Sequence, residues 1–342
     1  MNKPKLICLT PVKNEAWVLD AFLTAASLWA DHIIVADQHS TDGSREIYKR
    51  YPKVIVVDNN DTDLHETNRQ RLMFAEARKI QGDKVFIALD ADEIFTANYT
   101  ETEDWRKITH SKVGDVYAFY WAELDPTATK YTVPETQYQW AIFDDGTNPP
   151  EEGKIHIARV PWPLNSEPNR TVVKDFQVMH LDKINIQRST SKERYYQCYM
   201  LMNKQEKSSL GNDVLVKNNP ILSFRASRTK YNVVKYSTIP DYFFENYQKQ
   251  GIDILKLVDF SKTFCWQDER VLQYFDEKGI SFFRKLDIWD KTWLAQLSKV
   301  AGKEIKDPRK WTDKLVHFYL RKTQAKRTIF RRVVDRILKK IY

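Results

Sequence analysis

Cysteine is scarce in this 342-residue chain, which holds only Cys8, Cys198 and Cys265. Three widely spaced thiols do not make a disulfide framework or a zinc site, and they fit a reducing compartment. No window approaches the roughly 18 consecutive apolar residues that a spanning helix needs. The start, Met1-Asn2-Lys3-Pro4-Lys5, leads into only a short apolar run, so neither a signal peptide nor a spanning helix is expected. The chain also lacks internal repeats and low-complexity segments, which excludes solenoid and fibrous architectures. What remains is the composition of a folded globular protein, 42% hydrophobic, 29% charged and 13% aromatic, long enough for one large domain with an extension or for two domains.

Positive charge is in excess, and it is concentrated at one end. Residues 321–342 carry nine Lys or Arg against the single acid Asp335, while the preceding 320 residues balance 45 bases with 45 acids. Within that segment Phe330, Val333, Val334, Ile337, Leu338 and Ile341 recur at helical spacing, with Arg331, Arg332, Arg336, Lys339 and Lys340 on the remaining surface. The pattern predicts a basic amphipathic helix. Such a helix can lie at an anionic bilayer surface, each nearby base contributing about 1 kcal/mol. The alternative is a terminal helix packed on the body with its basic face in water.

The first ninety residues alternate between strand and helix periodicity. Strands are predicted over 6–10, 33–36, 54–57 and 85–89, with helices over 16–29, 44–50 and 66–80 between them. This alternation predicts an α/β fold with a doubly wound, mostly parallel sheet whose ligands bind at the carboxyl ends of its strands. The segments following those strands, 11–15, 37–40, 58–63 and 90–93, should therefore rim one crevice. Further short strands are predicted over 116–121, 138–143, 155–160 and 176–180, and from about residue 191 the chain reads as mainly helical.

The tetrapeptide Asp90-Ala91-Asp92-Glu93 closes the apolar run 85–89 with carboxylates. Side chains alternate along an extended chain, so Asp90 and Asp92 are expected to face the same way and to share a hard divalent ion and a diphosphate bound to it.

Three segments in order, Thr10-Pro11-Val12-Lys13-Asn14-Glu15, Ile33 to Ser44 with Asp37 and Asp42-Gly43-Ser44, and Leu89-Asp90-Ala91-Asp92-Glu93, resemble the family-2 glycosyltransferases of the GT-A fold. The resemblance covers about residues 5–95 well and continues loosely to about 182. The chain departs from the usual pattern at Ala36, Gln38 and His39, where the family more often has Val, a second Asp and a small residue. The resemblance implies a GT-A domain over 1–185 and does not extend over the helical remainder, which the sequence pattern divides into an aromatic-rich extension over 186–320 and the basic helix over 321–342. It implies that Pro11, Glu15, Asp37, Arg71 and Asp90 line a nucleotide-sugar pocket, with Arg69, on the same predicted helix as Arg71, as a second candidate arginine. It further implies that Asp90, Asp92 and His180 hold Mn2+ or Mg2+, both of which take oxygen ligands readily.

An inverting transfer also needs a carboxylate to deprotonate the acceptor hydroxyl. Glu167 is the expected base, with Asp144, Asp145, Glu151 and Glu152 as alternatives. Trp121, Trp140 and Trp162 offer indole faces for sugar stacking or for the core. The implied activity is metal-dependent, inverting transfer from a nucleotide-sugar, UDP-linked by preference, to a glycan or lipid-linked acceptor. Its implied setting is surface polysaccharide or lipopolysaccharide synthesis, with the protein cytoplasmic and peripheral at the inner face of the cell membrane. Two other readings stay open. A nucleotidyltransferase can share a similar sheet, although it normally needs a Gly-rich phosphate loop after the first strand and Pro11-Val12-Lys13-Asn14-Glu15 has no Gly. A non-enzymatic nucleic-acid-binding protein would use the basic tail, but the apolar stripe of that tail fits this poorly, and no nucleic acid is expected.

Overall fold

The computed structural model describes residues 3–61, 65–149, 158–202, 235–263, 265–323 and 328–341. The chain forms two compact units, Met1–Asn185 with Tyr236–Phe264, and Ile186–Lys235 with Cys265–Tyr342. The first unit is therefore discontinuous, and the segment from residue 236 returns to it.

The first unit opens with β1 (Lys5–Val12), α1 (Leu19–Ser27), β2 (His32–Asp37), α2 (Ser44–Tyr48), β3 (Val54–Asp58), α3 (Glu66–Arg78) and β4 (Lys84–Ala88). These four strands pair in parallel in the order β4-β1-β2-β3. Alternate side chains of β1 serve opposite faces. Leu6 and Cys8 join Phe22, Leu23 and other α1 residues on one side, while Ile7 and Leu9 meet Met73, Phe74 and Ala77 of α3 on the other. A strand covered on both faces reads as a continuous apolar run, which is why these strands were visible in the sequence.

The chain continues through β5 (Glu93–Phe95), α4 (Glu103–Thr109), β6 (Asp115–Leu124), β7 (Lys130–Thr132), β8 (Gln137–Phe143), β9 (Asn169–Val172) and β10 (Val178–His180). β8 pairs antiparallel with both β4 and β6, extending the parallel half into a mixed sheet. The long strand β6 accepts β9 along its first half and β10 along its second, both in parallel. β11 (Ser237–Thr238) borders β7, and Tyr247 of the short helix α6 (Glu245–Lys249) donates to the Phe95 carbonyl at 2.9 Å. The strand expected over 155–160 is not formed at 158–160, which is irregular, and residues 155–157 lie outside the described residues.

The second unit is helical, with α5 (Ile186–Met202), α7 (Trp266–Lys278), α8 (Lys291–Ala301), α9 (Trp311–Lys322) and α10 (Ile329–Ile341). Its organising polar group is Asp268, fully buried, which accepts from Ser191 on α5 (2.9 Å) and from Trp293 Nε1 (2.9 Å) and Gln296 (2.7 Å) on α8. One carboxylate so satisfied fixes three helices together. Among the described residues no helix is long and apolar enough to cross a membrane.

His317 on α9 is also buried, with Nε2 3.1 Å from the Lys285 carbonyl oxygen. Burial pushes its pKa below the ordinary 6.5, and the nearby Asp287 carboxylate only partly offsets this. The unfolded chain then binds a proton that the folded unit refuses. Stability is complete above 6.5 and is expected to fall as the pH drops below it. Melting curves between about pH 5 and pH 8 should show this loss, and His317→Gln should flatten it. An unchanged slope in the variant would remove His317 from the explanation.

Candidate functional site

The parallel register sets Val12, Asp37 and Asp58 side by side at the carboxyl ends of β1, β2 and β3. The loops beyond them interlock. The Asn14 N–H donates to Ser40 Oγ (2.9 Å), the Thr41 N–H to Asn14 Oδ1 (2.7 Å) and the Ala16 N–H to Asp42 Oδ2 (2.9 Å). Asn14 and His39 adopt left-handed backbone conformations, φ 57° and 52°, held by this exchange. Pro11 and Glu15 remain half-buried on the rim, with Glu15 accepting from Trp17 Nε1 at 2.6 Å.

Asp37 closes β2 between Val12 and Asp58. It is completely buried, and its oxygens accept from the Ser40 N–H (3.0 Å), Arg45 Nε (2.8 Å) and the Tyr48 hydroxyl (2.8 Å). Arg45 also pairs with Asp58. This carboxylate, with no exposed surface, shapes the turn from Gln38 to Gly43. Gln38, the next residue, is half-buried and donates to the Asp61 carbonyl at 2.6 Å.

The acidic tetrapeptide is a turn, not an extended segment. The Glu93 N–H donates to the Asp90 carbonyl (3.0 Å) and the Asp90 N–H to Glu93 Oε2 (2.9 Å). The turn separates the two aspartates that an extended chain would have aligned. Asp90 pairs with Arg159 at 2.8 Å, and the same guanidinium forks onto the fully buried Glu93 and lies 4.5 Å from the Trp140 ring centre. Burial pushes the Glu93 carboxyl upward and the Arg159 charge opposes this.

Asp92 turns instead toward the end of β10. β5 and β10 pair antiparallel with His180 opposite Glu93, and the Leu181 N–H donates to the Asp92 carbonyl at 2.8 Å. This backbone pairing brings His180 Nε2 to 3.4 Å from Asp92 Oδ2. Asp182 opens the single 3-10 turn that follows, and donor atoms of Asp92, His180 and Asp182 all lie within 4.8 Å of one another. Two carboxylates and an imidazole so close suit a hard or borderline divalent ion such as Mn2+ or Mg2+. The His180 ring lies against Trp121, centroids 4.2 Å apart, which restricts its orientation. The Trp121 indole N–H is buried without a hydrogen-bond partner among the described residues.

Asp182 was not anticipated as a ligand, although it stands two residues beyond His180. Glu167 is misplaced in the opposite sense. Its neighbour Asn169 pairs with Asp115 at the start of β6, whereas His180 pairs with Glu123 near its end, and a side chain at Gly114 (φ 94°) would collide with the Glu167 carbonyl. Eight residues of strand separate the two places by about 26 Å, so Glu167 does not reach the cluster. Asp144, whose N–H donates to Lys84 at the start of β4, and Asp145, which accepts from Ser166 at 2.8 Å, lie at that same far end. Glu151 and Glu152 are outside the described residues.

Arg71 donates to the Pro149 carbonyl at 3.3 Å, and Arg69 lies 3.7 Å from Glu66. Trp140 is buried beneath Arg159, and Trp162 is exposed.

An α/β sheet with acid-rich loops at its carboxyl rim, extended by antiparallel strands, is the GT-A arrangement. Residues 8–110 match the family model described as Glycosyl transferase family 2. Curated proteins give no match. Among solved structures the chain is similar to S. aureus TarS 1–349, at 14% identity over 89% of this chain and 95% of that one, with a TM-score of 0.39. It is also similar to GalNAc-T7 with UDP, GalNAc and Mn2+ (15% identity, 36% of this chain and 24% of that one, TM-score 0.30). A third is glucosyl-3-phosphoglycerate synthase from Mycobacterium tuberculosis with Mn2+, UDP and phosphoglyceric acid (16% identity, 35% of this chain and 43% of that one, TM-score 0.25). The similarity thus spans less than half the length of the last two proteins.

Proposed function

We propose that this protein is a divalent-cation-dependent, inverting glycosyltransferase that moves a sugar from a nucleotide-sugar, UDP-linked by preference, to a glycan or lipid-linked acceptor. The observation that supports this most directly is the gathering of Asp92, His180 and Asp182 at the carboxyl rim of a sheet whose first part matches glycosyl transferase family 2. These three residues would hold Mn2+ or Mg2+. When bound, that ion supplies positive charge against the negative charge that accumulates on a departing nucleoside diphosphate.

The chain's own residues prepare the site. Asp37 holds the loop that presents Gln38, and Pro11 and Glu15 line the nucleoside side of the crevice. Asp90 and Glu93 anchor Arg159, and Asp92 turns toward His180. The carboxylate that activates the acceptor belongs to this rim and is not Asp144, Asp145 or Glu167. Setting and location follow the same reading: assembly of a surface polysaccharide or lipopolysaccharide at the cytoplasmic face of the membrane, with the basic segment 321–342 on anionic lipid.

A thermal-shift series with UDP-, GDP- and CMP-sugars, each with and without Mn2+, tests class and donor together, because a ligand bound only by the folded state raises the melting temperature. A rise that requires both Mn2+ and one nucleotide class is expected, at about 2–3 kcal/mol of added stability when the ligand stands near a hundred times its dissociation constant. No rise with any donor would refute the reading.

A further inference from the structure

Two helices of the second unit leave apolar side chains uncovered beside a surplus of positive charge. On α9, Trp311, Leu315 and Phe318 recur at i, i+4 and i+7 and are 76%, 59% and 59% exposed. Packing occupies other positions of that helix, where Asp313, His317 and Leu320 are buried. On α10, Ile329, Phe330, Val333 and Ile337 are exposed, whereas Asp335 is buried. The two helices are joined by Tyr319, whose hydroxyl donates to Asp335 at 3.2 Å, and by Leu320 and Leu338 in one small apolar cluster. Single exposed apolar residues are ordinary, but seven on a joined pair of helices call for a partner.

The charge indicates which partner. Lys314, Arg321 and Lys322 on α9, with Arg331, Arg332, Arg336, Lys339 and Lys340 on α10, outnumber the acids of these helices, Asp313 and Asp335, both of which are buried. Asp313 lies beside Arg284 (3.2 Å) and Asp335 beside Arg331 (3.4 Å). Lys322 Nζ sits 5.7 Å from the Phe318 ring centre, so base and apolar stripe are interleaved. An anionic bilayer offers both complements at once, phosphate at the surface and acyl chain beneath. A nucleic acid would satisfy the bases and leave Trp311, Leu315 and Phe318 in water.

We infer that α9 and α10 form a two-helix platform for an anionic bilayer, in which Trp311, Leu315 and Phe318 enter the acyl boundary together with Phe330, Val333 and Ile337. The inference rests on the membrane reading proposed above and extends the contact from the terminal segment to α9.

Flotation of the full chain with phosphatidylcholine vesicles, with and without phosphatidylglycerol, tests it. Binding is expected only with the anionic lipid and should weaken with added salt. The triple variant Trp311→Ser, Leu315→Ser, Phe318→Ser should partition about a hundredfold more weakly, with its melting temperature kept because the three side chains face solvent. Tryptophan emission should shift to the blue on vesicle addition, and the shift should diminish in Trp311→Phe.

If the triple variant floats like the parent while Val333→Ser with Ile337→Ser releases the protein, the role of α9 is overturned and that of the terminal segment stands. An emission shift identical in Trp311→Phe would overturn α9 as well, even if the triple variant fails to fold. Equal flotation with neutral lipid would overturn the anionic requirement, and retention on DNA with no flotation at all would overturn the membrane reading itself.

Discussion

Asp92→Ala is expected to lower sugar transfer about a thousandfold, which corresponds to roughly 4 kcal/mol of lost transition-state stabilisation. The expectation follows from where Asp92 points. Its carboxylate faces His180 and Asp182 across the β5–β10 pairing, while its carbonyl accepts the Leu181 N–H whatever the side chain is. Removing the side chain therefore takes away one donor and leaves the backbone bond in place. Circular dichroism should report an intact fold, and titration with Mn2+ should report weaker binding independently of turnover. Asp182→Ala should act in the same direction. Glu167→Gln should stay within about twofold of the parent, in keeping with a surface change far from the chemistry. Full activity in Asp92→Ala, or its loss in Glu167→Gln, would overturn the placement of the site.

The contrast between Asp182 and Glu167 shows which part of the site could be read from the amino acids. Strands covered on both faces, such as β1 and β4, are contiguous apolar runs, so the residues at their carboxyl ends could be named in advance. That is how the rim formed by Pro11, Glu15 and the acids after β4 was found. Asp92 was also legible, as part of an acidic cluster at a strand end, and His180 was expected beside it through the resemblance to the family-2 glycosyltransferases.

What could not be read was the path between them. Thirteen residues part Glu167 from His180, a separation that looks like one strand and a turn. The chain instead uses it to travel the length of β6, pairing as β9 at its start and as β10 at its end. Neither pairing leaves a local signature, because β9 and β10 are only four and three residues long. The turn at Asp90–Glu93 was hidden for a related reason. The three-residue strand β5 begins at Glu93, and only its distant partner β10 reveals it. Asp37 was correctly placed at a strand end, but the claims of Arg45 and Tyr48 on its oxygens are tertiary contacts that spacing does not announce.

The residue least visible beforehand is Arg159, and its removal should have the largest effect on stability. It lies beyond the parallel half, just after the segment 150–157, and belongs to no recognisable motif. Its guanidinium nevertheless bridges Asp90 and Glu93 and covers Trp140. Glu93 has no exposed surface, so deleting the cation leaves a buried carboxylate without its counter-charge.

Breaking a buried pair from one side costs about 3–5 kcal/mol, because the surviving charge keeps its desolvation penalty. Arg159→Met should therefore lower the melting temperature of the first unit by about 10 °C or more. Arg159→Lys should lose less, since it keeps the charge but not the fork that reaches both acids.

The decisive comparison is the double variant. If the penalty arises from the stranded carboxylate, Glu93→Gln in the Arg159→Met background should recover part of the loss. Each change alone should destabilise more than the pair's shared interaction allows by addition. Arg159→Met that melts with the parent would show that Asp90 and Glu93 need no counter-charge, and Arg159 would lose its place as the support of the acidic turn.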